Sequence, residues 1–499
     1  MACLLLTACA LPSRVDIVRE QALPAAHYGP LADYAGRIRG RLDVGESAHW
    51  LLDRNKLALD ARLALVDEAA TSLDVQYFIW EDDATGHLLA SRLLAAADRG
   101  VKVRLLIDDF AIASQRGDIV RLDAHPNIEV RTFNPWKTRG RRYMAALEFI
   151  VRPLALNRRM HNKTLIADNG FAIVGGRNIG DRYFGVYAPF VQNDLDVLVA
   201  GPVVASVSGS FDQYWNSDHA FPVGLFARDD RARLPVEGTR RFLAAAIADE
   251  AERLQSFPVA PADWAEFFEH LVDTMTKGRD RLFADSPEFE DPTAGRLYGD
   301  LKALIASARR EVLISSPYLI PDEQFRELFR QLVARGVRVA VVTNSLSTNN
   351  HVIAHTGYQW WRRTLLKAGV QLYELRADAE ALAEYVTPPV TPARLGLHTK
   401  AIVVDRQKAF IGSPNIDPRS LEVNTEIGVR SDGPELAGQL ADLIERDMEP
   451  DNAWRVALDA RGRLRWSTEG RELKHQPAQG FGQRVMKFLL TLLPLKKQA

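Results

Sequence analysis

The sequence predicts an α/β protein in which one structural unit is used twice, and three observations carry that prediction. The octapeptide His161-Asn162-Lys163-Thr164-Leu165-Ile166-Ala167-Asp168 returns as His398-Thr399-Lys400-Ala401-Ile402-Val403-Val404-Asp405. A helix-to-strand junction, Arg99-Gly100-Val101-Lys102-Val103, returns as Arg335-Gly336-Val337-Arg338-Val339. The offsets agree to one residue, 336 − 100 = 236 for the glycines and 398 − 161 = 237 for the histidines, so the repeat spans a domain.

The elements follow in order. Residues 61–72 have the apolar spacing of an amphipathic helix and 73–80 that of a strand. Residues 86–99 then read as a helix stopped at Gly100, and 101–107 as the next strand. Strand, helix, strand is a βαβ unit with a parallel sheet. In the second half 311–316, 324–335 and 337 onward repeat it.

Each octapeptide opens a hairpin, with strands 163–167 and 400–404 turning at Asp168-Asn169-Gly170 and Asp405-Arg406-Gln407-Lys408 before returning as 171–176 and 409–413. Two residues apart on an extended chain, His and Lys leave the same face, so an imidazole and an ammonium meet one anion. Asp168 and Asp405 fall at the turns, away from that face, and read as structural members of the motif. After each hairpin come Gly175-Gly176-Arg177-Asn178 and Gly412-Ser413-Pro414-Asn415. Gly176, Asn178, Ser413 and Asn415 are the candidate phosphate contacts, because small residues admit close backbone approach and amides donate to phosphate oxygens.

Two histidines, two lysines and two asparagines at a pseudo-twofold axis suit a phosphodiester. One imidazole attacks phosphorus and the other protonates the leaving alcohol, then deprotonates the acceptor. Lys163, Lys400, Asn178 and Asn415 would stabilise charge on the non-bridging oxygens. The nucleophilic ring needs an acceptor on its second nitrogen, and the expected pairs are Asp194 for His161 and Glu426 for His398. No cofactor is expected, and no His/Cys/Asp cluster has metal-ligand spacing.

The whole chain has 499 residues with 63 basic and 64 acidic side chains, ordinary for a globular protein of two or three domains. Near-neutral charge argues against a nucleic-acid substrate. Both cysteines, Cys3 and Cys9, precede the folded body, so no disulfide or thiolate metal site is expected there. Leu6-Thr7-Ala8-Cys9 is similar to a bacterial lipobox behind an apolar run too short for a complete signal, which points to a start upstream and a lipidated Cys9. A Pro/Ala-rich arm follows it.

Two further stretches suggest a lipid surface. Between 136 and 160, Lys137, Arg139, Arg141, Arg142, Arg152, Arg158 and Arg159 surround apolar residues; 484–497 is basic and apolar but too short to span a bilayer. His355, Tyr358 and Trp360 are further candidate substrate contacts, with helix core the expected role for the aromatics.

With both His-x-Lys-x-x-x-x-Asp motifs complete, the chain resembles the phospholipase D superfamily from about residue 73 to 445. The extended pattern Gly412-Ser413-x-Asn415-x-x-x-Arg419-Ser420-x-x-x-Asn424-x-Glu426 is highly specific, and Arg158-Arg159-Met160-His161-Asn162-Lys163 resembles the bacterial cardiolipin synthase branch, in particular its third type. The resemblance implies two tandem α-β-α sandwich domains related by pseudo-twofold symmetry, with the active site at their interface. The motif residues His161, Lys163, Asp168, His398, Lys400 and Asp405 would be catalytic, with His161 the nucleophile and His398 the acid/base. Pro414 is a departure at a position where relatives vary. The expected divisions are 1–45, a lipoprotein signal and arm; 46–220, the first phospholipase D-like domain; 221–292, a linker; 293–448, the second domain; and 449–499, a tail with an interface segment.

The implied activity is phosphatidyl transfer to the alcohol of phosphatidylglycerol, with phosphatidylethanolamine a further candidate lipid. The site would be on a bacterial membrane, facing the periplasm, with attachment through Cys9, the basic loop or the C-terminal segment. Hydrolysis to phosphatidic acid is the alternative; a nuclease or a lipid-binding chain without activity rank below it.

Overall fold

The computed structural model describes residues 17–110, 118–136, 156–226, 235–288, 296–349, 352–480 and 483. The first half contributes β1 Ser47–Leu52, β2 Ser72–Tyr77, β3 Lys102–Asp108, β4 Ile128–Phe133, β5 Thr164–Ala167, β6 Phe171–Gly175, β7 Val191–Asn193, β8 Asp196–Ala200 and β9 Ala220–Pro222. The second contributes β10 Thr276–Ala284, β11 Glu311–Ser315, β12 Arg338–Asn344, β13 Gln371–Leu375, β14 Leu395–Leu397, β15 Ala401–Val404, β16 Lys408–Gly412, β17 Ile427–Asp432, β18 Ala453–Leu458, β19 Leu464–Thr468 and β20 Arg471–Leu473.

Both halves lay their strands down in one order. It runs β9-β4-β3-β2-β5-β6-β8-β1 in the first and β18-β13-β12-β11-β15-β16-β17-β10 in the second. In each, three central strands are parallel, as the βαβ reading requires, and the hairpin strands add antiparallel. The two orders meet where β1 pairs antiparallel with β10, Ala48 opposite Lys277, so that eighteen of the described strands form one sheet.

Local chemistry accounts for the repeated elements. Asp83 and Asp322 cap the helices Ala84–Asp98 and Glu323–Ala334 by accepting the N–H of Gly86 and Phe325. Gly100 and Gly336, at φ 98 and 83, let the chain leave those helices left-handed and enter β3 and β12. The hairpin turns place Asp168, Asn169, Asp405 and Arg406 at φ between 48 and 56, the range a type I′ turn needs. Asp and Asn tolerate it; Arg406 is held there by ion pairs to Glu311 at 3.0 Å and Asp442 at 2.9 Å.

Helices cover both faces of each half. Asn55–Glu68 and Ala84–Asp98 bury Leu59, Leu63, Leu89 and Leu93 on one face of the first half. Arg296–Ala306, Glu323–Ala334 and Val352–Lys367 cover the corresponding face of the second. Val203–Trp215 and Pro434–Met448 share a third apolar cluster that runs between the halves. A fully buried leucine there contributes ~1.5–3 kcal/mol relative to exposure, so separating the halves would forfeit many such terms.

Three sequence expectations change. Asn55–Glu68 begins six residues before the predicted 61, and Leu59, Leu63 and Val66 are buried along it. Residues 221–292 are more than a linker, because β10 lies within them and completes the second half's sheet. Its sequence Thr-Lys-Gly-Arg-Asp-Arg-Leu-Phe-Ala looks solvated, yet Asp280 is buried against His49 at 2.7 Å. The stretch 449–499 likewise begins with β18 to β20, which extend that sheet. Cys3, Cys9, residues 137–155 and 484–497, on which the membrane expectations rest, lie outside the described residues. Arg159, grouped with the basic loop, is buried on Asp108 at 3.1 Å. No helix among the described residues is long and apolar enough to cross a membrane.

Candidate active site

The octapeptides sit just ahead of their strands. β5 starts at Thr164 and β15 at Ala401, so His161, Lys163, His398 and Lys400 occupy the extended segments that enter the sheet. Each segment is pinned across the pseudo-twofold axis. His161 donates its backbone N–H to the Thr425 carbonyl at 2.9 Å, and His398 donates to the Asn193 carbonyl at 2.7 Å. The intervening residues repeat the exchange, Thr425 Oγ1 donating to Asn162 Oδ1 at 3.2 Å and Thr399 Oγ1 to Asn193 Oδ1 at 2.9 Å.

The ring partners cross the axis as well, which reverses the expected pairing. Glu426 holds Nδ1 of His161 at 2.8 Å, and Asp194 holds Nδ1 of His398 at 2.5 Å. Sequence proximity favoured carboxylates from the same half, but β8 and β17 start on the far side of their own hairpins and deliver Asp194 and Glu426 to the opposite octapeptide. An Nδ1–H donated to a carboxylate leaves the Nε2 lone pair for substrate. Both residues are only 8% exposed, so a ligand reaches them through a narrow mouth.

Burial dominates the electrostatics. It lowers His161 well below an ordinary imidazole, helped by Lys163 and Lys400, and brings His398 to about 3. Both rings are therefore neutral at pH 7. Burial also lowers Lys163 to about 7 and Lys400 to about 8, and each ammonium donates to the backbone carbonyl of its own histidine. The carboxylates differ. Burial raises Glu426 to about 7, whereas at Asp194 burial is outweighed by His398, Lys400 and Arg177, which hold it below the usual range.

The remaining candidates divide. Asp168 accepts backbone N–H groups from Ala70, Thr71 and Ser72 at 2.7–3.0 Å, and Asp405 those of Arg309, Arg310 and Glu311 at 2.7–3.0 Å. Both lash the hairpin turn to the start of β2 or β11. Gly176 cannot carry a side chain, since a Cβ would lie 2.3 Å from Asp194 Oδ1, and the Ser413 hydroxyl donates to Glu426. These two therefore shape the carboxylates rather than a phosphate. Asn178 spends its carbonyl on Ile79 N–H at 3.1 Å and one amide hydrogen on Tyr183 Oη at 3.1 Å, leaving one donor for a ligand. Asn415 Oδ1 is buried without a hydrogen-bond partner.

Four residues escaped the sequence reading, and a fifth, Arg419, was read there only as part of the motif pattern. Phe78 and Tyr183 set their ring edges against His161 and His398, with centroids 5.0 and 5.3 Å apart. Asp108 accepts the Met160 N–H at 2.9 Å, and Asn344 clasps Leu397 through both its N–H and its carbonyl, at 2.9 and 2.8 Å. Met160 and Leu397 immediately precede the two histidines, so these side chains position the octapeptides. The offset 344 − 108 = 236 was the signal that would have found them. Arg419 reaches from the second half to Asn157 Oδ1 at 2.7 Å and adds to the positive field on His161.

A family model described as "Cardiolipin synthase, PLD-like domain" matches residues 63–215 and 301–448, one match per half. The chain belongs to the cardiolipin synthase family of phospholipase D-like proteins. Cardiolipin synthase C of Escherichia coli (strain K12) is 37% identical over 477 residues, covering 91% of this chain and 96% of that protein. Cardiolipin synthase A of Pseudomonas putida is 26% identical over 402 residues, covering 80% of this chain and 68% of that one. Among solved structures, the phosphatidylserine synthase of Haemophilus influenzae Rd KW20 superimposes with a TM-score of 0.56 at 12% identity, over 92% of this chain and 97% of that one, which establishes the shared fold. In this family member, the fold's two halves bring one octapeptide each to a single site.

Proposed function

We propose that this chain is a membrane-associated phosphatidyltransferase of the cardiolipin synthase type, working through a covalent phosphatidyl-histidine. The crossed pairing of each imidazole with a carboxylate of the other half carries the reading, because it presents two neutral Nε2 atoms beside two lysines. As the anionic donor phospholipid binds, His398 takes up a proton from solvent at Nε2; Nε2 of His161 then attacks phosphorus, the bond to the headgroup oxygen breaks, and His398 gives that oxygen its proton. His398 next takes the proton of an acceptor hydroxyl on phosphatidylglycerol. The new oxygen–phosphorus bond forms as the phosphorus–nitrogen bond breaks, restoring His161.

The ionised Asp194 supports this division of roles, since a carboxylate that keeps its charge stabilises an imidazolium on His398. The anionic diester raises His398 as it binds, opposing the effect of burial. Lys163 and Lys400 hold the non-bridging oxygens. The scheme routes no step through a metal ion. Attachment through a lipidated Cys9 on the periplasmic side accords with the lipobox-like Leu6-Thr7-Ala8-Cys9.

The test uses purified protein and labelled phosphatidylglycerol, with and without phosphatidylethanolamine. Cardiolipin formation that survives dialysis against EDTA is the expected result. Phosphatidic acid as the sole product assigns hydrolysis instead, and an unchanged lipid overturns the proposal.

A further inference from the structure

A second concentration of positive charge lies far from the histidines. The helix Val352–Lys367, the start of β19 and residues 474–476 line an open cavity of about 640 Å³. Its lining includes Arg362, Arg363, Arg463, Arg465 and Lys474, and contains no carboxylate. In a chain with 63 basic and 64 acidic residues, five cations around one cavity are a local segregation of charge. The octapeptide strand β15 is five strands away across β11, β12, β13 and β18, about 24 Å at the usual strand spacing. Among the described residues the first half has no equivalent, because its sheet ends at the three-residue β9.

The walls are prepared for a ligand. Buried Glu374 holds Arg362 Nε at 2.9 Å and accepts the Trp466 indole N–H at 2.8 Å, which fixes a guanidinium and an aromatic face side by side. Asp459 holds Arg463 Nε at 2.9 Å and Arg465 at 2.7 Å, and Glu472 lies 3.4 Å from Arg465. These acids stand behind the arginines rather than in the cavity. Arg363 and Lys474 are exposed and have no carboxylate within ion-pair distance among the described residues, so the cavity retains uncompensated charge. Trp360 and Leu464 add apolar wall.

Planar guanidinium groups match phosphate oxygens, and the half-buried Trp360 offers apolar surface beside them, while Trp466 is itself buried beneath Arg362. We propose that this cavity is a binding site for a phosphate ester, separate from the catalytic centre. The ester is either the headgroup of an anionic phospholipid or a soluble phosphate compound, and the inference stands whatever reaction the histidines perform.

The experiment compares the full chain with R363Q/K474Q and with the control R241Q/R279Q, which removes two exposed charges elsewhere. Calorimetric titration with glycerophosphoglycerol and with inorganic phosphate reads a soluble source; flotation with phosphatidylcholine vesicles, with and without phosphatidylglycerol, reads a lipid source. The expected result is a class of sites in the wild type that weakens about tenfold in R363Q/K474Q and is unchanged in the control, while turnover of detergent-dispersed phosphatidylglycerol stays within about twofold. Weakening in the titrations assigns a soluble ester, and weakening only in flotation assigns a lipid headgroup. A wild type with a single class of sites, or a loss matched by the control, overturns the proposal.

Discussion

The two halves share strand order, turns and octapeptide, yet they place unlike carboxylates on their neighbours' histidines. Asp194, serving His398, is packed against Gly176 and lies beside the buried Arg177, whose guanidinium donates to the Asp194 carbonyl. Glu426, serving His161, has Ser413 where the first half has Gly176 and Pro414 where it has Arg177. Against burial, Asp194 is held ionised chiefly by the His398 ring and Lys400, with Arg177 adding a smaller share, whereas burial lifts Glu426 to about 7. Symmetry of backbone does not require symmetry of chemistry. The side with the firm anion can stabilise an imidazolium, and the side without it favours a neutral nucleophile.

Removing the rings tests the comparison most severely. H161N should abolish the phosphatidyl adduct seen by mass spectrometry, with turnover down about 10⁴-fold or more. H398N should lose about 10²–10⁴-fold while an adduct still forms and persists, because resolution needs a base. An adduct in H161N and none in H398N would exchange the roles.

Next come the carboxylates. D194N replaces an ionised group and should cost about 10³–10⁴-fold in kcat, as for other histidines deprived of an orienting anion. E426Q replaces a group already close to neutral at pH 7 and should cost about tenfold. Equal losses would break the asymmetry.

The lysines predict the pH profile. Phosphate binding needs their ammonium forms, which exist below their pKa values of about 7 and 8 and vanish above them. The profile of kcat/KM should therefore fall as pH rises through 7–8, whereas neutral histidines keep the acid limb below pH 6. K163R should move the alkaline limb upward; a profile flat to pH 9 would contradict both shifts. Smallest is S413G, which removes one hydrogen bond to Glu426 and should lower stability by about 1–2 kcal/mol in urea titration. The reciprocal G176S should fare worse, since its Cβ would overlap Asp194 Oδ1.

The repeat made much of this legible. Matching offsets located the parallel units, the hairpins and both octapeptides, because short-range pattern and turn chemistry decide those elements. What stayed hidden depends on the axis. Nothing in the spacing of Asp194 or Glu426 says that each crosses to the other half, and Asn162 with Thr425 looks unrelated to Thr399 with Asn193 until the two are superposed. β10 was hidden by its own charges, of which Lys277, Arg279 and Arg281 lie on the exposed side and Asp280 turns inward to His49.

The crossing of the pairs also governs when the site is complete. A chain synthesised only as far as residue 300 contains His161 but neither Glu426 nor the second octapeptide. Its imidazole has no acceptor to fix the tautomer and no partner to protonate a leaving group. Competence then arrives at the final closure, when β1 joins β10 and both rings are clasped at once. The unfinished polypeptide carries one ring of the pair without its clasp, so the complete site and the complete fold arrive together.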